Sequence, residues 1–178
     1  MCVNKMVKPL CLLLLILGIA QNIFSQSNEN PCSGGSYEVI KPFLGEWEEY
    51  RVTDSTEVYL GKLTVKLDVN GCVLSQRFKK AGSTFSYLSF GYVEPTSGLW
   101  EESYVFSTGN IAKFRWILDG SSLYTQRIRS SEKAEFTYRL LYANVQANSY
   151  EVIPQRSYDG GKTWKSYGLT RIKKLNKN

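Results

Sequence analysis

From residue 43 onward, apolar and polar side chains alternate with a period of two. That is the mark of half-buried strands, and no stretch sustains the 3.6-residue period of an amphipathic helix. Clusters of Gly, Asn, Asp and Pro cut this pattern into about ten predicted strands. These are Phe43–Val52, Val58–Val69, Cys72–Lys79, Thr84–Val93, Leu99–Ser107, Ile111–Leu118, Ser122–Arg129, Glu135–Asn144, Tyr150–Arg156 and Thr163–Ile172. The joints include Thr53-Asp54-Ser55-Thr56, Glu94-Pro95-Thr96-Ser97-Gly98, Thr108-Gly109-Asn110, Asp119-Gly120 and Asp159-Gly160-Gly161. Asn70-Gly71 is the strongest hairpin signal, because both residues accept positive φ and suit a two-residue connection. Tyr37 to Pro42 is expected to form a short helical turn over the barrel mouth. Short strands, short turns and no long crossover favour an up-and-down meander, and closing the first strand on the last hides both edges. The expected fold is therefore all-β: a single closed up-and-down antiparallel β-barrel of about ten strands. A two-sheet sandwich is the competing architecture.

The same alternation sorts side chains by face. Trp100, Glu102, Tyr104 and Phe106 share one face; Phe114 and Trp116 lie opposite Lys113 and Arg115; Phe136, Tyr138, Leu140 and Tyr142 lie opposite Arg139. With the aromatic faces turned inward, the candidate ligand-binding residues are Trp100, Glu102, Tyr104, Phe114, Trp116, Tyr138 and Tyr142. Two interiors fit this pattern: a solid aromatic core, or the space that barrels wider than eight strands tend to leave. Arg77, Gln126, Arg127 and Arg156 offer a guanidinium or amide to an anionic head group, but the pattern leaves their faces open. The adjacent acids Glu48-Glu49 and Glu101-Glu102 cannot act as dyads, since neighbours on a strand point to opposite faces. If the tryptophans face inward, Glu49 and Glu102 go with them. Two interior carboxyls would suit acid/base chemistry, whereas strand glutamates are usually solvated.

Pro42-Phe43-Leu44-Gly45-Glu46-Trp47 opens the first strand, with Gly45 turning the backbone and Trp47 plugging one end of the barrel. Gly98-Leu99-Trp100-Glu101-Glu102 repeats that opening, and Gly161-Lys162-Thr163-Trp164 places a further tryptophan after a glycine turn; all three are read as tryptophans covering a barrel end. Gly45-x-Trp47 resembles the signature of the lipocalin and calycin group. A wider resemblance, to small secreted bacterial barrels of calycin (lipocalin and fatty-acid-binding-protein) type, runs through Asn70-Gly71-Cys72-Val73-Leu74, Tyr92 to Trp100 and Arg156 to Trp164. The resemblance implies the fold and a small-molecule cavity, and it carries no catalytic residues. It also implies a basic side chain on the last strand lying across Trp47, for which Arg171 is the candidate. Ser157 to Trp164 resembles the Asp-box hairpin, with Asp159 binding turn amides and Trp164 packed beneath. A single copy stabilises a hairpin and implies no sialidase activity.

Residues 1–25 read as a signal peptide: Lys5 and Lys8, an apolar run from Leu10 to Ala20, and a polar exit to Ser25. Cleavage is expected near Ser25, with Ala20 as the other end point, and the run is short for a membrane span. The organisation that follows is a lead-in over 26–42, a barrel over 43–173 and a basic tail over 174–178. Of the four cysteines, Cys2 and Cys11 fall in the leader. Cys32 and Cys72 remain, either bridged in an oxidising compartment or separate thiols. The chain contains no histidine, which excludes histidine-dependent triads, histidine-ligated haem and the usual zinc sites; no cofactor or metal is expected. The formal charge of +6 includes Lys5 and Lys8, and Arg171, Lys173, Lys174 and Lys177 cluster at the end. No basic stripe follows a phosphate backbone, so no nucleic-acid partner is expected. These readings lead to a periplasmic or extracellular barrel, monomeric or weakly self-associating, holding a small hydrophobic or aromatic ligand without catalysis. The rivals are a barrel enzyme with a Tyr or Glu acid/base, and an envelope-associated interaction module with a filled core.

Overall fold

The structure, a computed structural model, describes residues 32–54, 56–128 and 135–175. The leader, the first part of the lead-in, Ser55, Arg129 and residues 176–178 lie outside the described residues. The alternating segments form β1 (Gly45–Thr53), β2 (Thr56–Asp68), β3 (Val73–Lys80), β4 (Ser86–Val93), β5 (Trp100–Phe106) and β6 (Ile111–Asp119). They continue with β7 (Ser122–Arg127), β8 (Thr137–Ala143), β9 (Ser149–Ser157), β10 (Lys165–Ser166) and β11 (Thr170–Lys174). Each strand from β1 to β9 pairs antiparallel with the next, and β11 lies between β9 and β1. The ring closes, giving an up-and-down antiparallel barrel of ten strands, β1 to β9 plus β11, with β10 as an extra strand on β9. No sandwich forms, because the first strand finds its partner in the last. Among the described residues, no helix is long and apolar enough to cross a membrane.

Two local expectations are corrected. Thr163–Ile172 is not one strand: β10 and β11 both pair with β9 but are separated by Tyr167-Gly168-Leu169. Pro154 of β9 faces the break and has no N–H to donate; its carbonyl accepts from the Tyr167 N–H at 3.2 Å. The Asn70-Gly71 connection is four residues long rather than two, with Val69, Asn70 and Gly71 at φ 51°, 54° and 89°. Cys72 is withdrawn from the ladder into this turn, where it is bridged to Cys32, the Cα atoms 4.9 Å apart. By loop entropy, a bridge across 40 residues contributes about 4 kcal/mol.

A 3-10 helix, Gly35–Phe43, plugs one end of the barrel with Ile40 and Phe43 buried. Both repeated tryptophan openings clasp it: the Trp47 indole N–H donates to the Phe43 carbonyl at 2.8 Å, and the Trp100 N–H donates to the Ser36 carbonyl at 2.7 Å. Gly45 turns into β1 at φ 137°, a conformation that L side chains rarely adopt. Trp164 does not join this floor. Its N–H stays within its own hairpin on the Gly161 carbonyl, and its ring lies under the Arg139 guanidinium on the outer wall at 4.0 Å. Arg171 does not cover Trp47 either. Trp47 pairs with Lys174, whose ammonium sits 5.3 Å from the indole centroid, whereas Arg171 points outward to Glu57 and Glu151. Asp159 behaves as its motif implies, accepting from Ser157, from the Lys162 and Thr163 amides and from the Thr163 hydroxyl.

Candidate functional site

Above the tryptophan floor the barrel interior holds an open-mouthed cavity of about 230 Å³. Tyr104, Phe114, Tyr138 and Tyr142, all expected to face inward, line it together with Phe106 and Leu140. The other expected residues lie behind that lining. Trp100 is part of the floor, edge-on to Tyr37. Trp116 stacks on Tyr142 with centroids 5.0 Å apart and so backs the cavity wall. Phe136 precedes β8 and packs with Tyr158 and Arg156 at the rim.

Glu102 is 1% exposed and fully engaged. Gln76 and Ser89 donate to one carboxyl oxygen, and Tyr104 and Trp116 donate to the other, each at 3.1 Å. Burial lifts its pKa above the usual carboxylate range, and the four donors pull it part of the way back. No cation pairs with it among the described residues. Glu102 thus organises the wall: through it, the Gln76 amide and the Tyr104 phenol are fixed at the cavity surface.

The second acid is different. Glu49 lines the cavity and is its single charged group among the described lining residues. Among the described residues no hydrogen bond or ion pair reaches this half-buried side chain, and desolvation alone pushes its pKa up to about 7. Each interior acid stands opposite a glycine on the neighbouring strand: Glu49 pairs with Gly61 and Glu102 with Gly91. A Cβ on Gly61 would meet the Lys79 carbonyl at 2.2 Å, and one on Gly91 would crowd the Glu102 side chain at 3.3 Å. A β-bulge between Glu49 and Tyr50 bends β1 at this point. Burial raises the pKa values of Tyr87, Tyr104 and Tyr150 well above 10, so these phenols remain neutral donors at any ordinary pH. Negative charge on both Glu49 and Glu102 adds to the rise at Tyr87 and Tyr150, and of the two acids Glu102 adds to it at Tyr104.

The polar candidates separate by face. Arg77 is exposed, and Gln126 stands opposite Arg115 outside the barrel. Arg127 and Arg156 are on the interior side at the rim, opposite Phe114 and Tyr138. The Arg156 guanidinium lies between the Phe136 and Tyr167 rings, at 4.6 and 4.5 Å.

Sequence reasoning placed Glu49 inward but left it out of the site, and it missed Gln76, Tyr87 and Tyr150. Gln76 alternates with Leu74 and Phe78, and Tyr87 with Phe85, so both faces were readable from period two. Tyr150 stands at the edge of a polar turn, where alternation has only begun.

The fold and cavity define a class, a closed ten-strand antiparallel barrel with an aromatic interior, consistent with a calycin-like fold. Compared with known proteins, the chain matches no family model, and no curated protein aligns with it significantly.

Proposed function

We propose that this chain is an exported, lipocalin-like bacterial barrel that binds a small, mainly hydrophobic or aromatic molecule in its interior, without catalysis. The supporting observation is the cavity itself: an interior space of about 230 Å³ lined mostly by aromatic side chains, with a few polar groups to orient a guest, the usual make-up of a ligand site. The space also weighs against a filled-core interaction module. The Cys32–Cys72 bridge fits export to an oxidising compartment. One observation favours a second reading, a barrel enzyme. Glu49, at about 7, sits where general acid/base catalysis works best at neutral pH.

Native mass spectrometry on protein purified from its own host tests both readings. An adduct lost on denaturation supports binding. A supplied ligand recovered unchanged supports a carrier, and one recovered with altered mass supports turnover. A clean apo mass across a panel of aromatic and lipophilic compounds refutes interior binding. The intact mass also reports whether residues 1–25 have been removed.

A further inference from the structure

Resting on the interior-binding reading, we infer that the guest is a small organic cation, an amine whose ammonium sits against the Glu49 carboxylate with its apolar body among the tyrosine rings. The cavity wall is chemically one-sided. Among the described lining residues its only charged group is an acid. Tyr87, Tyr142 and Tyr150 feel that acid and contribute phenols and ring faces. Glu102, uncompensated by any cation among the described residues, adds negative potential from behind Tyr104 and Gln76. Rings combined with carboxylates are the environment that holds ammonium groups through cation–π and ionic contacts.

The strands packed against Glu49 supply no competing cation. Its partner on β2 is Gly61 and its partner on β11 is Ile172, with Thr170 beyond. The rim arginines, Arg127 and Arg156, act on Tyr138, whereas no cation acts on Glu49. Lys174 lies over Trp47. A carboxylate in this place gives the fold nothing, since it is bonded to no neighbour among the described residues, yet its desolvation is costly. An incoming ammonium would supply the missing partner. A cavity of about 230 Å³ is below the usual ~300–1,000 Å³ of ligand sites, so the amine is a small one, of the order of a single ring with a short aminoalkyl arm.

The test is isothermal titration calorimetry at pH 8 with phenethylamine, its neutral analogue phenethyl alcohol and the anion phenylacetate, on wild type and Glu49→Gln. The expected order is phenethylamine tightest and phenylacetate weakest. Glu49→Gln should weaken phenethylamine at least tenfold and leave the alcohol unchanged. Wild-type affinity for phenethylamine should rise about tenfold from pH 6 to pH 8, following ionisation of Glu49. The ligand class is overturned if the alcohol or phenylacetate binds as tightly as the amine, or if Glu49→Gln leaves the amine unaffected; binding by the alcohol would still uphold an interior site. Failure of all three at millimolar concentration also overturns it, and the adduct experiment above then decides separately whether the interior binds anything.

Discussion

Glu49→Gln preserves the shape of the side chain and removes its charge, so it isolates the cost of keeping an unpartnered carboxylate inside the barrel. The folded-state pKa is about 7 against an ordinary 4.5. Each pH unit of displacement is worth about 1.4 kcal/mol, so the ionised form costs the fold up to about 3 kcal/mol. The sign follows from the direction. The folded pKa is raised, so the stability this group contributes is fully present below pH 4.5 and is lost as pH rises through 7. Wild type and Glu49→Gln should therefore have similar stability at pH 4.5. They should separate progressively, until the variant is more stable by about 2–3 kcal/mol at pH 8. Urea unfolding followed by tryptophan fluorescence at half-unit steps from pH 4.5 to 9 measures this. With slopes of about 1–3 kcal/mol per molar, the midpoint difference at pH 8 should exceed about 0.7 M. Other groups shape the wild-type profile, but they are common to both proteins and cancel in the difference. Parallel curves, or a variant less stable at pH 8, would refute the reasoning: Glu49 would then be solvated or paired.

The same change at the other interior acid should have the opposite sign. Glu102→Gln sets an amide against four donors, Gln76, Ser89, Tyr104 and Trp116; a loss of about 2–3 kcal/mol at pH 8 is expected in urea unfolding. Replacing Cys32 and Cys72 together by serine should cost about 4 kcal/mol and lower Tm by roughly 8–16 °C, and reductant should lower the wild-type Tm equally; an unchanged Tm in reductant would argue against the bridge. Trp100→Phe deletes the hydrogen bond to Ser36 and should cost about 1–2 kcal/mol. Amide exchange in Gly35–Phe43 should accelerate more than exchange in the β-ladder, whereas a uniform acceleration would deny the helix its latch.

Much of the barrel was legible because its signals are local. Alternation and turn chemistry located the strands and placed Tyr104, Phe114, Tyr138 and Tyr142 correctly on the inner face, since period two is a property of each strand alone. The paired glycine-x-tryptophan openings pointed to the floor, whereas the even cysteine count left a bridge and separate thiols open until the fold brought Cys32 and Cys72 together. Period two, however, says only which residues share a face, not which residues of different strands meet. Register between strands decided that Lys174, rather than Arg171, lies over Trp47. Pro154 on one strand decided where a distant partner strand had to break. Trp164 follows a glycine turn much as the floor tryptophans do, but the outer-wall stack with Arg139 claimed it.

The alternating pattern by itself therefore determined an all-β chain with aromatic inward faces, and closure of its edges was the natural consequence. Only the tertiary structure separated two glutamates that look alike in sequence. Glu102 met four donors carried on β3, β4, β5 and β6 and became part of the wall. Glu49, bent inward at a bulge opposite Gly61, met none among the described residues. The solvation of a buried charge depends on atoms brought in from across the barrel, and no local pattern records them.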